Sequence, residues 1–560
     1  MPVRGWPRFL PRRLARLLIL LAYFCIVLTS CLRLRPENRD PTSTLPDLDA
    51  FTLYDESAPA PDRWWTVFDS EELSTIVKAA LEGNLTLQQI YARLTQAEAL
   101  ARQAGALRWP NLDVTGDIAT TRRRVDTGKS PSADLGTVAR DLNALNTAVF
   151  GPAGAAAGAY GALQSIASRL QAANALLEEP PPPAVTATTH SYRFGVSSGF
   201  EADLWGRVRA RHEAALMDLE ASREDVYAAM LSLSGAVVRQ WLAITAQRQE
   251  LELIARQREL NQTTLELIEL RYRNGLATAL DVFQQRQIVA QTESLVPLIE
   301  SGLQAARHEL AVLLGRTPQT DLALAAGALP AVGPLPEPGL PAELLARRPD
   351  VRAAGLQLRS ADWRVAAARA DRLPDLRLTA GASYGADTWT LIFDNWMATL
   401  AGSLTGPVFD AGRRKAEVAR MRAAAEERLA AYRDRVLQSV KEVENALLRE
   451  TKQVAYIEAL RRELDAIRAV HEQARDRYRK GLNDYLPVLA ALTQAQALER
   501  RLVQAEYDRL DQRARLCVAL GGAWMEEELK GSGLRDQGPG IGDQVRAAVP
   551  ITGGSEIDHD

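Results

Sequence analysis

Two hydrophobic periods organise this chain. The first is helical. From Val418, the apolar positions Met421, Ala425, Leu429, Tyr432, Val436, Val440, Val443 and Leu447 follow at spacings of 3, 4, 4, 3, 4, 4, 3 and 4. This eleven-residue repeat, about 3.67 residues per turn, keeps neighbouring helices nearly straight, whereas a strict seven-residue repeat wraps them left-handedly. The stripe lies inside Arg413–Lys480, a run of 68 residues without proline or glycine. Arg207–Asn274 is similar, with Gly235 as its one glycine; it carries Ala215, Leu219, Val226, Met230 and Val237 at matching places, interrupted by Arg223. Both runs are rich in Ala, Leu, Glu, Arg and Gln, the strong helix formers. Each predicts a helix of roughly 100 Å that must bury its stripe along its whole length.

The second period is two. Leu112, Val114 and Ile118 alternate with Asp113, Thr115 and Asp117. Tyr192, Phe194, Val196 and Phe200 share a face opposite Arg193, Ser197 and Glu201. Leu376, Leu378, Ala380 and Tyr384 alternate with Arg377, Thr379 and Ser383; Trp396, Ala398, Leu400 and Leu404 do so with Thr399 and Ser403. Four strands in two hairpins are predicted, at about 111–124, 190–203, 375–386 and 394–405. Segments of this length with one apolar face are the weak mark of a transmembrane β-barrel, and they also fit a soluble half-buried sheet. Four strands cannot close around a pore, and a bilayer tolerates no open edge, so a barrel reading requires further copies of the chain.

These elements recur at a fixed offset. Arg271-Tyr272-Arg273-Asn274-Gly275-Leu276 returns 206 residues later as Arg477-Tyr478-Arg479-Lys480-Gly481-Leu482. Gly206-Arg207 maps onto Gly412-Arg413 and Leu314-Gly315 onto Leu520-Gly521. The mature chain is two copies of one unit, and such repeats decide architecture before local motifs do. The reading places a first repeat at 63–326, a Pro-rich linker at 327–341, a second repeat at 342–530 and a polar tail at 531–560. Residues 31–62 form an extended N-terminal segment. One insertion, roughly 125–189, breaks the symmetry: it is Ala/Gly-rich, ends in Pro180–Pro183, and reads as a cap, an adhesive element or disorder.

The N-terminus sets the compartment. Arg4, Arg8, Arg12, Arg13 and Arg16 precede an apolar run, Leu17–Leu28, too short for a firm transmembrane helix and shaped like a secretory signal. It ends Leu28-Thr29-Ser30-Cys31, which resembles the bacterial lipobox; the resemblance implies a signal peptide at 1–30 and an acylated Cys31 as first mature residue. Removing 1–30 deletes five arginines and no acid, so the formal charge moves from −3 to −8. Cys25 leaves with the signal and Cys517 has no partner, so no internal disulfide is expected. A mildly acidic chain without a basic patch excludes nucleic acid as an expected partner. The five histidines, His190, His212, His308, His471 and His559, have no metal-ligand spacing, and no phosphate loop or nucleophile elbow is present. No enzyme, metal or cofactor is expected.

The residues resemble the outer-membrane factors of the TolC/OprM type, in the NodT-like branch of efflux lipoproteins. Trp64-Trp65-Thr66-Val67-Phe68 with Leu73 and Asn84-Leu85, then Asp203-Leu204-Trp205-Gly206-Arg207, Arg347-Arg348-Pro349-Asp350-Val351-Arg352 and Pro407-Val408-Phe409-Asp410-Ala411-Gly412-Arg413, carry the likeness in order. It implies a mainly α fold with a membrane β-barrel: a homotrimeric twelve-stranded barrel, four strands per chain, continued by a long periplasmic α-helical barrel. The implied partners are outer-membrane lipid, a periplasmic adaptor (membrane fusion protein) and an inner-membrane RND pump. The implied function is a passive exit duct for small molecules; a type I protein-secretion channel and a non-conducting structural or adhesive lipoprotein are the alternatives. The two Tyr-x-x-Gly-Leu turns become periplasmic tips, where Arg271, Tyr272, Gly275, Leu276, Arg477, Tyr478, Gly481 and Leu482 meet the adaptor. The family often carries an acid nine positions after the second tip glycine. Ala490 stands there instead, so Asp281, Asp484 and Tyr478 are the candidate gate, with Tyr478 and Asp281 expected to join through hydrogen bonds between helices. Pro487 occupies the second-copy place of Asp281.

Overall fold

The computed structural model describes residues 34–39, 63–125, 140, 142, 163–166, 168–170, 185–325, 327–335, 347–522 and 524–525. The expected signal peptide, Cys31, most of the insertion and the 531–560 tail lie outside the described residues. The chain divides into a sheet unit, Trp109–Ala202 with Leu376–Thr405, and a helical unit formed by the rest.

The sheet unit holds β1 (Asn111–Val125), β2 (Val185–Ala202), β3 (Asp375–Ala386) and β4 (Trp396–Thr405), in the order β1-β2-β3-β4. Register explains its two faces, because directly opposed residues share a side. Val114 faces Val196 and Ile118 faces Tyr192, while Asp113 faces Ser197 and Asp117 faces Arg193. Phe194 then faces Tyr384, and Phe200 faces Leu378. The apolar face is bare: Leu112, Ile118, Trp396 and Leu400 are 73%, 75%, 72% and 85% exposed. Two bounds differ from expectation. β2 starts at Val185, so the last residues of the expected insertion are strand, paired as far as Val125. β4 starts at Trp396, because Trp389–Leu391 form a 3-10 turn and Gly385 N–H donates to the Asn395 carbonyl.

The helical unit opens with a 3-10 turn, Trp64–Phe68, followed by α1 (Glu71–Gly83), α2 (Leu85–Ala106), α3 (Arg207–Arg273), α4 (Ala279–Leu313), α5 (Pro349–Ala370), α6 (Arg413–Arg479) and α7 (Leu486–Leu520). The repeat is visible in the lengths: α3 and α6 each span 67 residues, α4 and α7 each 35. Both long helices start after a glycine with φ near +80°, where a Cβ is disfavoured. The caps come from aspartates further back. Asp203 accepts from the backbone N–H of Val208 and Arg209, and Asp410 from that of Gly412 and Arg414.

The α6 stripe is buried along its length. Val418, Ala425, Tyr432, Val436, Val443 and Leu447 are buried, and Met421, Leu429 and Val440 are half-buried. Two helices cover it in succession. Val365 and Ala361 of α5 meet Ala425, Val351 meets Tyr432 and Val436, and Leu516, Ala519 and Leu520 of α7 meet Val443 and Leu447. Arg223, the interruption in the first copy, turns to Glu220 one turn back.

A belt of short elements packs on one side of these helices. Trp64 donates to Ser234 Oγ (3.1 Å), Trp241 donates to Glu72 (2.9 Å), and Trp65 meets Trp524 edge-on. The linker is pinned by Arg513, which donates to the Pro334 and Gly333 carbonyls and pairs with Glu450. Both side chains are at most 2% exposed, so the desolvated charges survive by answering each other and the two carbonyls. Cys517 is free and buried; burial pushes its thiol up to about 12, which leaves it unreactive.

Candidate functional site

Each repeat turns once between long antiparallel helices, and the two turns share a backbone. Gly275 and Gly481 both sit at φ +70°. Leu276 N–H donates to the Arg271 carbonyl (2.8 Å) and Leu482 N–H to that of Arg477 (2.9 Å), closing the last helical carbonyls. Leu276 and Leu482 are 65% and 64% exposed. Arg271, Tyr272 and Arg477 also have surface-accessible side chains, so the expected docking residues stand at the turn surface.

After the glycines the tips diverge. In the first, Thr278 and Asp281 form a reciprocal capping box: Thr278 Oγ accepts from Asp281 N–H (3.2 Å) and Asp281 Oδ2 from Thr278 N–H (2.8 Å). In the second, Tyr485 caps α7 without a side-chain bond and lies buried against Ile268, Val282, Ile288 and Val488. Asp484 and Ala490 are exposed.

Tyr478 is half-buried, with its ring 5.2 Å from that of Tyr485 and the Arg271 guanidinium 4.7 Å over it. Its hydroxyl is shielded from solvent and has no hydrogen-bond partner of normal geometry among the described residues. Burial raises the phenol pKa of Tyr478, as it does more strongly for Tyr485. Tyr478 and Asp281 are therefore neighbours that do not bond within the chain, because the Asp281 carboxylate is engaged by the start of α4.

The bond instead starts at Tyr485. Its hydroxyl donates to Gln285 Oε1 (2.7 Å), and Gln285 Nε2 donates to the Asn261 carbonyl (2.8 Å). Asn261 Nδ2 donates to Thr292 Oγ (2.9 Å) and to Gln496 Oε1 (3.2 Å), and Gln496 returns a bond to Asn261 Oδ1 (2.9 Å). One turn on, Gln257 donates to Glu499 and accepts from Arg500. This ladder stitches α3 and α4 of one repeat to α7 of the other. Asn261 and Gln285 are fully buried, and a satisfied buried network of this kind fixes one register. Sequence reasoning missed it. The signal was present: Gln257 and Asn261 interrupt an apolar stripe at helical spacing between Ile254 and Ile268, as Gln285 does between Val282 and Ile288.

A second constellation concerns the N-terminal segment. Leu34 N–H reaches the Trp205 carbonyl (3.4 Å), between β2 and α3. Glu37 accepts from Arg422 of α6 (2.7 Å), and Arg39 pairs with buried Asp362 of α5. The Arg422 hydrogen bond is the main cause that lowers the Glu37 pKa. Residues 34–39 are thus held against Trp205, α5 and α6. Among the described residues no group of three or more His, Cys, Asp or Glu is placed to hold a metal.

Two repeats of long helices, polar-stitched tips and a four-stranded sheet with a bare apolar face define a channel protein of an outer membrane. The family model described as "Outer membrane efflux protein" matches residues 183–316 and 340–522, more than half of the chain, and the chain belongs to that family. It is 31% identical over 475 residues to the pyoverdine export outer membrane protein OpmQ of Pseudomonas putida, covering 83% of this chain and 89% of that protein. It is 26% identical over 343 residues to the probable outer membrane lipoprotein SilC of Salmonella typhimurium, covering 60% and 74%. Among solved structures, the outer-membrane channel OprN matches with a TM-score of 0.71 at 25% identity, over 88% of this chain and 99% of that one. The expected fold class and family are met.

Proposed function

We propose that this outer-membrane efflux channel works as a homotrimer, the passive exit duct of a tripartite pump. In this reading three sheets close into one twelve-stranded barrel, and the helices line a periplasmic duct. A periplasmic adaptor joins it to an inner-membrane RND pump, which supplies the energy. The observation that carries the reading is the sheet: β1 and β4 each have one neighbour among the described strands, and its apolar face is bare. Neither edge survives in lipid unless another chain pairs with it. The exposed Leu276 and Leu482 favour adaptor docking at the tips. The placement of residues 34–39 favours an acylated Cys31, which belongs near the bilayer surface. Tyr478 and Asp484 stand at the second turn, and Asp281, in the first, is near enough to Tyr478 to act on it electrostatically; we assign the resting constriction to the second tip, held through Tyr485 and its ladder.

The test is native mass spectrometry of the detergent-extracted protein, followed by planar-bilayer recording. The expected result is a trimer bearing an acylated Cys31 peptide and a discrete conductance. A folded monomer, or a trimer that carries no current, overturns the reading.

A further inference from the structure

A cavity of about 430 Å³ lies where the C-terminal end of α7 meets the N-terminal end of α5, between α3 and α6. That volume is in the range of small-molecule sites. Five arginines line it, Arg239, Arg348, Arg435, Arg449 and Arg515, against two acids, Asp350 and Glu442.

The acids are already committed. Arg348 pairs with both, and Arg435 with Asp350, so these four side chains form a salt-bridged wall. The other arginines keep donors for a ligand. Arg239 uses Nε on the Gly235 carbonyl, and Arg515 uses Nε on Asp511. Arg449 is exposed on the cavity rim, and no acid pairs with it among the described residues. The lining adds an apolar floor from Leu231 and Val518, and Gln512, whose Oε1 is shielded from solvent and has no partner among the described residues. Arginine forks match carboxylates in pairs of parallel bonds, and the apolar floor suits a hydrocarbon body.

The cavity faces away from the belt. On α3, Ser234 and Trp241 hold the belt, whereas Gly235 and Arg239 line the cavity; at about 100° per residue the two faces are roughly 130° apart. On α7, Arg513 holds the linker while Arg515 and Ala519 line the cavity. In a conducting trimer the belt must be outside, since inside it would plug the duct, so the cavity opens to the lumen.

We propose that this cavity binds small organic carboxylates with an apolar body, one per subunit on the duct wall, and that the channel favours anionic cargo. The lumenal placement rests on the exit-duct reading; the binding chemistry does not. The probe is phthalate, with neutral phthalamide of similar shape as control, titrated calorimetrically into the detergent-solubilised trimer. Phthalate should bind, and phthalamide at least about tenfold more weakly. Arg449→Gln with Arg239→Gln should weaken phthalate about tenfold, while the Lys pair retains part of the affinity. Both are accessible side chains, so the trimer should persist. Equal affinity for the two probes, or binding unchanged in the Gln pair, overturns the site. In bilayers under a KCl gradient, the Gln pair should shift the reversal potential towards cation preference, and phthalate should reduce the wild-type current. Calorimetric binding without either effect overturns the lumenal placement. A protein without current overturns the duct reading, and calorimetry then decides the site alone.

Discussion

The two tips share a hexapeptide and a backbone, yet present different surfaces. Both glycines sit at φ +70°, and both leucines close the helix onto an arginine carbonyl. The difference begins three residues later. Thr278 and Asp281 cap α4 by themselves, whereas the second copy places Asp484 and Pro487 there and relies on Tyr485. The first tip is ordered locally and leaves Tyr272 facing solvent; the second is ordered by contact with the other repeat. A turn sequence thus fixes backbone geometry, while the next few residues decide whether the tip is self-sufficient or dependent.

The strongest way to break this comparison is Tyr485→Ala. It removes a buried aromatic and strands Gln285, at a cost of about 3–5 kcal/mol. Hydrogen exchange should accelerate across 477–489 far more than across 271–281, and the bilayer current should rise. Equal acceleration at both tips would mean that the second tip is not the dependent one. Alkali should act in the same direction without mutation. The phenol is raised by burial in the folded state, while an unfolded tyrosine titrates near pH 10. Stability is therefore fully present below about pH 10 and falls above it, by at most about 1.4 kcal/mol per pH unit from this group. Protection at 477–489, taken relative to the base-catalysed intrinsic exchange rate, that stays constant well beyond pH 10 would refute the coupling.

A smaller effect sharpens the other side. Thr278→Ala should cost about 1 kcal/mol by opening the capping box, seen as faster exchange in the first turn of α4. Asp484→Ala, at the same place in the second copy, should stay within about 0.5 kcal/mol. The smallest effect is Tyr478→Phe. Its hydroxyl has no hydrogen-bond partner of normal geometry among the described residues, so the ring and its contact with Arg271 suffice, and stability should again change by less than about 0.5 kcal/mol. A large loss of closure in that variant would reveal a bond made to a neighbouring subunit.

The elements were legible because their periods were clean. The eleven-residue stripe from Val418 and the alternation from Leu376 each repeat one physical demand, and the 206-residue offset doubled the signal. Tyr478 and Asp281 were legible as neighbours, but not their bonding, because the carboxylate's local competitor, the Thr278 N–H, is three residues away and always within reach. The ladder was hidden because its members look like faults in a stripe, and a fault acquires meaning only when Gln285 and Asn261 are seen to meet Tyr485 and Gln496. The arginine cavity was hidden for a related reason: Arg239, Arg348, Arg449 and Arg515 come from four separate stretches with no shared spacing.

The short clasp at residues 34–39 bears on how the molecule comes together. Arg39 and Glu37 grip α5 and α6 only a few residues after Cys31. An acyl chain there would hold the strand–helix boundary within about 10 Å of the bilayer surface before any strand pairs, since three residues of extended chain reach no further. Three chains tethered in this way search for one another across a plane rather than through the periplasmic volume, at a far higher effective concentration. The lipid would then act on the kinetics of barrel closure, and a Cys31→Ser chain would be expected to assemble the same trimer more slowly.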